Sequence, residues 1–290
     1  MKAFVDWLLA QRRRLVIVAV VAAPLFPVVS AALIALETSR RGVRPGLVSA
    51  VAAVGGLCLL AVLSRTDFAM FATIGIVTMG SGVVVGALLR RVGNLAFAFQ
   101  IVLLVCFVVV VAFGLLGPDP QVLFGPVLRE LEVVLRAPDY TDAEVAEVAG
   151  QLALLMPAVM VFSSLVGALL LGYWWSTLAS GESRFAAEFR QLKLGRWLGA
   201  AATVIVVLGL VFSAPLVQTL TPLAWFGFLL QGLAVVHAWA HVRRWHPGLL
   251  VLLYLVLLLP PLTVLVMLPL SIVGLVDNWL NLRTQLRSEA

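Results

Sequence analysis

Charge is scarce in this sequence, and so are the side chains that do most chemistry. Asp, Glu, Lys and Arg make up 12% of its 290 residues, where a soluble domain carries about a quarter. There are three histidines, two cysteines and two lysines. Cys58 and Cys106 fall inside apolar blocks and read as small core residues, which excludes a disulfide framework and a cysteine metal site. No GxxxxGK[ST] occurs, so the chain is not its own ATPase, and neither HExxH nor GxSxG is present. No charged residue lies mid-way along an unambiguous apolar block, which argues against an ion pump with a buried carboxylate relay. These gaps predict no catalytic residues, no metal and no cofactor.

What fills the space is apolar. Hydrophobic residues make up 62% of the chain and the mean hydropathy is +1.10. They lie in blocks of about 18 to 29 residues, long enough for a hydrocarbon core of about 30 Å. The clear spans are 46–63, 69–89, 95–116, 151–177, 197–214 and 222–242. Two further stretches are interrupted by proline: 15–36 by Pro24 and Pro27, and 247–275 by Pro260-Pro261. A proline inside a helix removes a hydrogen bond and clashes with the preceding turn, so each pair is a natural point of reversal.

Loop charge chooses between crossing and reversal, because cytoplasmic loops are enriched in Lys and Arg. With both stretches as single spans, the 20 Lys and Arg divide 9 to 11, no bias at all. With both as hairpins the division is 17 to 3, leaving only Arg65, Arg129 and Arg136 outside. The predicted fold is an all-α polytopic bundle of six clear spans plus two proline-broken hairpins, 15–36 and 247–275. Residues 1–290 then form one integral membrane domain with both termini cytoplasmic. The net charge of +6 is explained by orientation in the bilayer, so nucleic acid is not an expected partner. Arginine outnumbers lysine 18 to 2, which with the Ala, Val and Leu excess points to a GC-rich bacterial genome. Val29-Ser30-Ala31 resembles a signal-peptidase site, but no soluble domain follows it, and retention is expected.

The loop 117–150 differs in kind, with seven of the 14 acidic residues and two basic ones. It reads as an acidic extracytoplasmic segment in which VLRELEVVLR forms a short amphipathic helix. Thr141-Asp142-Ala143-Glu144 has the form of a capping box opening a helix that runs on into 151–177.

Polar residues near the apolar blocks are the candidate ligand contacts: His237, Asp277, Gln231 and Gln100, with Ser163 and Ser164 as lesser ones. His237 and His241 share a helix face, but no local carboxylate or cysteine joins them, so a polar bundle contact is favoured over a metal site. In the hairpin topology Asp277 shares a side with His237, His241 and Arg243 and can pair with one of them. Small-residue pairs Ala19/Ala23, Ala31/Ala35, Gly82/Gly86 and Gly195/Gly199 permit close helix approach.

SRRGVRPG at 39–46, QGLAVVHAWAH at 231–241 and GLVDNWLNLR at 274–283 together resemble the YybS-like bacterial multi-pass membrane proteins, a resemblance that implies the inner membrane. That family is in turn similar to the substrate-capture (S) components of energy-coupling factor transporters, which bind vitamins or metal ions and dock a coupling subunit through AxxxA patterns. The resemblance implies a small-molecule binding or transport subunit, with Ala19, Ala23, Ala31 and Ala35 as docking candidates and a partner supplying the ATPase. The alternative is a membrane scaffold or assembly factor, which the basic face around Arg40 and Arg41 favours as a protein-docking surface. A membrane-embedded enzyme, resting on the histidines and Asp277, is the weakest of the three.

Overall fold

A computed structural model describes residues 2–117, 119, 122, 124, 125, 128, 129 and 141–284. Every long regular element among them is an α-helix: α1 (Lys2–Ala10), α2 (Arg12–Ala22), α3 (Pro27–Arg41), α4 (Val43–Ser64), α5 (Phe68–Arg91), α6 (Leu95–Leu116), α7 (Asp142–Ala179), α8 (Phe185–Phe189), α9 (Arg196–Val211), α10 (Pro215–Val242), α11 (Pro247–Leu258) and α12 (Pro260–Leu280). Six are long and apolar enough to cross a membrane.

The first proline-broken stretch turns back. Ser30 Oγ donates to the Ala19 carbonyl at 2.6 Å, and Glu37 meets Arg12 at 3.1 Å, so α2 and α3 run antiparallel. Lipid cannot satisfy free backbone groups, so a reversal in the apolar region needs either burial against protein or paired backbone. Here Leu25 and Phe26 are 74% and 62% exposed. The backbone explains this. Pro24 and Pro27 have no N–H to satisfy, while Leu25 and Phe26 both donate to the Ala22 carbonyl, at 3.2 and 2.6 Å. From Ala23 to Pro27 every N–H present is paired.

The same device closes the second stretch. Leu259 donates to the Val256 carbonyl, Pro260 and Pro261 bring no N–H, and Leu262 and Thr263 both donate to the Leu259 carbonyl at 2.9 Å. The Thr263 hydroxyl adds bonds to the Leu257 and Leu259 carbonyls. Helix α12 then packs along α10 in the same direction. Gly232 and Gly274 bring the two backbones so close that a methyl on either would fall on a carbonyl oxygen of the other helix.

One span differs from expectation. The stretch 197–214 forms a helix of only 16 residues, about 24 Å against a core of about 30 Å. It stops at Val211 because Phe212 and Ala214 are extended ahead of Pro215. The sixth span-length helix is the returning arm, Leu262–Leu280.

Helix α7 confirms the capping box. Thr141 Oγ1 accepts from Glu144 N at 3.3 Å, and the Glu144 carboxylate accepts from Thr141 N at 2.8 Å. From there 38 residues run unbroken through Pro157 to Ala179, about 57 Å of helix. The amphipathic helix expected in VLRELEVVLR lies outside the described residues, apart from Leu128 and Arg129.

Helix α3 is the hub. Nine consecutive residues, Ser30 to Thr38, are buried among α4, α5 and α7. Gly82 and Gly86 of α5 and Gly172 of α7 admit it: a Cβ on Gly82 or Gly86 would strike the Ala31 or Ala35 carbonyl oxygen. A second core joins α6, α7, α9 and α10 around Phe99, Leu103, Leu169 and Phe228. Helix α1, which the sequence did not announce, packs Val5 and Leu8 beside Trp175 and turns Phe4 and Trp7 outward.

Both ends of the described chain fall at one end of the bundle. Arg41 bonds the Leu9 carbonyl, and Arg40 reaches Ser176 and Ser180 at the close of α7. Glu188 accepts from Leu95 N, and Arg283 reaches back to the segment before α9. Arg65 sits at the opposite end, between α4 and α5.

Candidate functional site

Three of the four candidate ligand contacts belong to one network around a short segment, Gln100 and Gln231 directly and Asp277 through Gln231 and Arg283. Between α8 and α9 the chain runs Arg190-Gln191-Leu192-Lys193-Leu194-Gly195 without regular structure, so its backbone groups need partners from elsewhere. Gln100 Nε2 donates to the Lys193 carbonyl at 3.0 Å. Gln231 Oε1 accepts from Leu194 N at 3.0 Å, while its Nε2 donates to Asp277 Oδ2 at 2.8 Å. Arg283 closes the ring. Its guanidinium holds the Asp277 carboxylate through Nη2 at 2.7 Å and Nε at 3.3 Å, and donates to the Arg190 and Leu192 carbonyls at 2.6 and 3.0 Å. Gly195 (φ +80°) ends the segment in the left-handed region that glycine tolerates, as the N-cap of α9.

Asp277 and Gln231 are fully buried, and the Arg283 side chain is 12% exposed. A buried carboxylate is tolerable only when paired and hydrogen-bonded, and this one has three donors. Gln100, Gln231 and Asp277 therefore act as a clasp on the chain's own backbone. Asp277 pairs with neither histidine nor Arg243.

Outside the clasp lies a cleft of about 420 Å³, lined by Ala187, Arg190, Lys193, Ala238, His241 and Arg283 among others. No carboxylate lines it among the described residues; Asp277 is behind Arg283. The Lys193 ammonium bonds Asn281. Burial holds Lys193 below the ordinary lysine range, with Asp277 drawing it back up and Arg283 pushing it further down.

The histidines separate. His237 lies within hydrogen-bond distance of the Leu233 carbonyl through Nδ1 (2.8 Å) and of the Tyr254 hydroxyl through Nε2 (3.3 Å), and sets its ring edge-on to Phe189. It is a polar contact between helices. His241 reaches the cleft, and His246 caps α11 by accepting from Gly248 N at 3.1 Å. Among the described residues no three His, Cys, Asp or Glu side chains converge as a metal site would need. Ser163 bonds its own helix at the Met160 carbonyl, and Ser164 meets Thr78 at 3.5 Å.

The docking candidates are covered by the chain itself. Ala19, Ala23, Ala31 and Ala35 are buried in its own core, where Ala31 and Ala35 receive Gly82, Gly86 and Gly172. In this conformation they present no surface to a partner. Arg40 and Arg41 remain partly exposed while bonding Ser176, Ser180 and Leu9.

Sequence reasoning missed Arg283, Arg190 and Lys193, and the buried Glu37 that Arg12 and Arg41 flank at 3.1 and 3.5 Å. One signal was available. Asn281 follows the last apolar turn and takes the left-handed conformation (φ 51°), a helix stop that turns the next residues back toward Asp277.

Residues 136–278 are similar to the family described as predicted membrane protein (DUF2232). With six span-length apolar helices, that is decisive for class. The chain is a multi-pass membrane protein. The matched region contains α7 to α11, the clasped segment and Asp277, and stops short of Arg283. No curated protein and no solved structure matches the chain.

Proposed function

We propose that this multi-pass protein is a non-catalytic binding subunit of the bacterial cytoplasmic membrane, with its basic end in the cytoplasm and its ligand site in the cleft beside the clasp. The observation that carries this reading is the cleft itself. Its volume of about 420 Å³ is in the range of small-molecule sites, and its apolar walls carry a few convergent polar groups. The clasp supports it by fixing the Arg190–Gly195 backbone, so the side chains that border the cleft project from a held frame. The charge division among the loops supports the orientation. The resemblance to the YybS-like proteins, and through them to transporter S components, agrees with a capture role in which a separate ATPase supplies energy.

A second reading has an observation of its own. Gln100, Gln231 and Asp277 already bond within the chain, which leaves few free polar groups inside the bundle and favours a scaffold that engages a protein through its basic end. Native mass spectrometry of the full chain, gently extracted from its own membrane, separates the two. A stoichiometric small-molecule adduct that survives lipid stripping supports the binding subunit. A bare chain mass with a stoichiometric protein partner overturns it in favour of the scaffold.

A further inference from the structure

The cleft brings cations together from three separate parts of the chain. Arg190 and Lys193 come from the segment before α9, His241 from the last turn of α10, and Arg283 from the turn after α12. Charge asymmetry in a membrane protein needs only basic loops; it does not need basic side chains converging on one concavity from distant positions. Asp277 offsets Arg283. Among the described residues the Arg190 guanidinium and the His241 ring take no side-chain partner. That leaves the Arg190 and Lys193 side chains without a carboxylate partner, beside the His241 ring. The Thr284 hydroxyl stands on the same wall.

Resting on the binding-subunit reading, we propose that this cleft is a phosphate site, which takes a phosphate group carried by a soluble phosphomonoester or by an anionic lipid headgroup. A phosphomonoester carries a charge of about −1.5 to −2 at pH 7 and three strong acceptor oxygens. Those oxygens diverge tetrahedrally, so they meet donors arriving from several directions, whereas a planar carboxylate is satisfied by one arginine fork. The apolar wall of Ala187, Ala238 and Val242 gives the rest of the ligand a place to lie.

The test uses the full chain in nanodiscs of phosphatidylcholine. Inorganic phosphate is titrated in and followed by 31P line broadening. In parallel, native mass spectrometry measures retention of phosphatidylglycerol doped into the same discs. The paired variants are the double substitution Arg190→Ala/Lys193→Ala and the single Arg44→Ala, an exposed cation outside the cleft. Truncating Arg190 leaves its clasped carbonyl in place. Loss of phosphate affinity by tenfold or more in the double variant, with Arg44→Ala near wild type, supports the site and a soluble ligand. The same pattern for phosphatidylglycerol retention alone supports the site and a lipid headgroup. Binding of neither probe overturns the phosphate assignment, as does a double variant that loses no more than Arg44→Ala. A non-phosphate adduct in the native mass spectrum of the extracted protein would then still leave the binding-subunit reading standing.

Discussion

Asp277→Asn isolates the clasp with a change of one atom type. The carboxylate accepts from Arg283 Nη2 (2.7 Å), Arg283 Nε (3.3 Å) and Gln231 Nε2 (2.8 Å) while fully buried. Hydrogen bonds to a charged group contribute about 1.5–3 kcal/mol, roughly twice a neutral one. The amide keeps one acceptor oxygen and turns its NH2 toward a donor, so at least one bond is lost and the others weaken. Breaking a buried ion pair by removing one partner costs about 3–5 kcal/mol. Arg283 borders the cleft and can swing toward water, which puts the expected loss at the lower end, about 3 kcal/mol. For a chain of this size each kcal/mol shifts the midpoint by about 2 °C, so Tm should fall by about 6 °C. Thermal unfolding of the detergent-solubilised protein, followed by tryptophan fluorescence, measures it. A cycle with Arg283→Gln and the double variant should give a coupling of about 2 kcal/mol, because the single changes remove the same interaction. An Asp277→Asn variant within 1 °C of wild type, or strictly additive losses, would refute the clasp.

Glycine contacts give a sharper pair of expectations. Gly274→Ala and Gly232→Ala each drive a methyl into backbone of the facing helix, so size-exclusion profiles should lose the monodisperse peak; Gly80→Ala, with open space around it, should leave Tm unchanged or raise it by removing up to about 1 kcal/mol of helix penalty. Glu37→Gln leaves Arg12 and Arg41 facing each other without their shared carboxylate; since the Arg12 side chain is 42% exposed, the loss should be only about 1–2 kcal/mol by the same melting assay. Orientation can be read with a membrane-impermeant maleimide on intact cells: Arg65→Cys should label directly and Arg44→Cys only after permeabilisation, and the opposite pattern would invert the bundle.

The two reversals were legible because proline acts locally. It deletes the N–H that lipid cannot satisfy, and the arginine division then points to the same answer at 15–36 and 247–275. The capping box at Thr141 was legible for the same reason: donor and acceptor lie three residues apart. The burial of α3 was not. PVVSAALIALETSRR is apolar nearly all round up to Glu37, and in lipid an apolar residue gives no contrast between facing protein and facing bilayer. The covered surface is revealed by glycines on three other helices: Gly46 of α4, Gly82 and Gly86 of α5, and Gly167 and Gly172 of α7. The candidate site was half legible. Gln100, Gln231 and Asp277 stand out as polar residues in apolar surroundings, but Gln100 and Gln231 bond backbone in an aperiodic segment, which carries no sequence signature, and Asp277 joins them only through Gln231 and Arg283. Arg283 looked like an ordinary terminal cation because its return depends on the left-handed turn at Asn281.

The buried arm has a consequence for biogenesis. Helices α2 and α3 precede in the chain the spans that cover them, and neither is span-length. The glycines that receive α3 lie on α4, on α5 and, much later, on α7. The amino-terminal hairpin must therefore wait at the membrane until distant spans have inserted, and only then be enclosed. Its exposed Phe4 and Trp7, stacked with ring centres 6.0 Å apart, offer a surface hold during that wait. On this order of covering, α3 reaches its final place only after α7 has inserted.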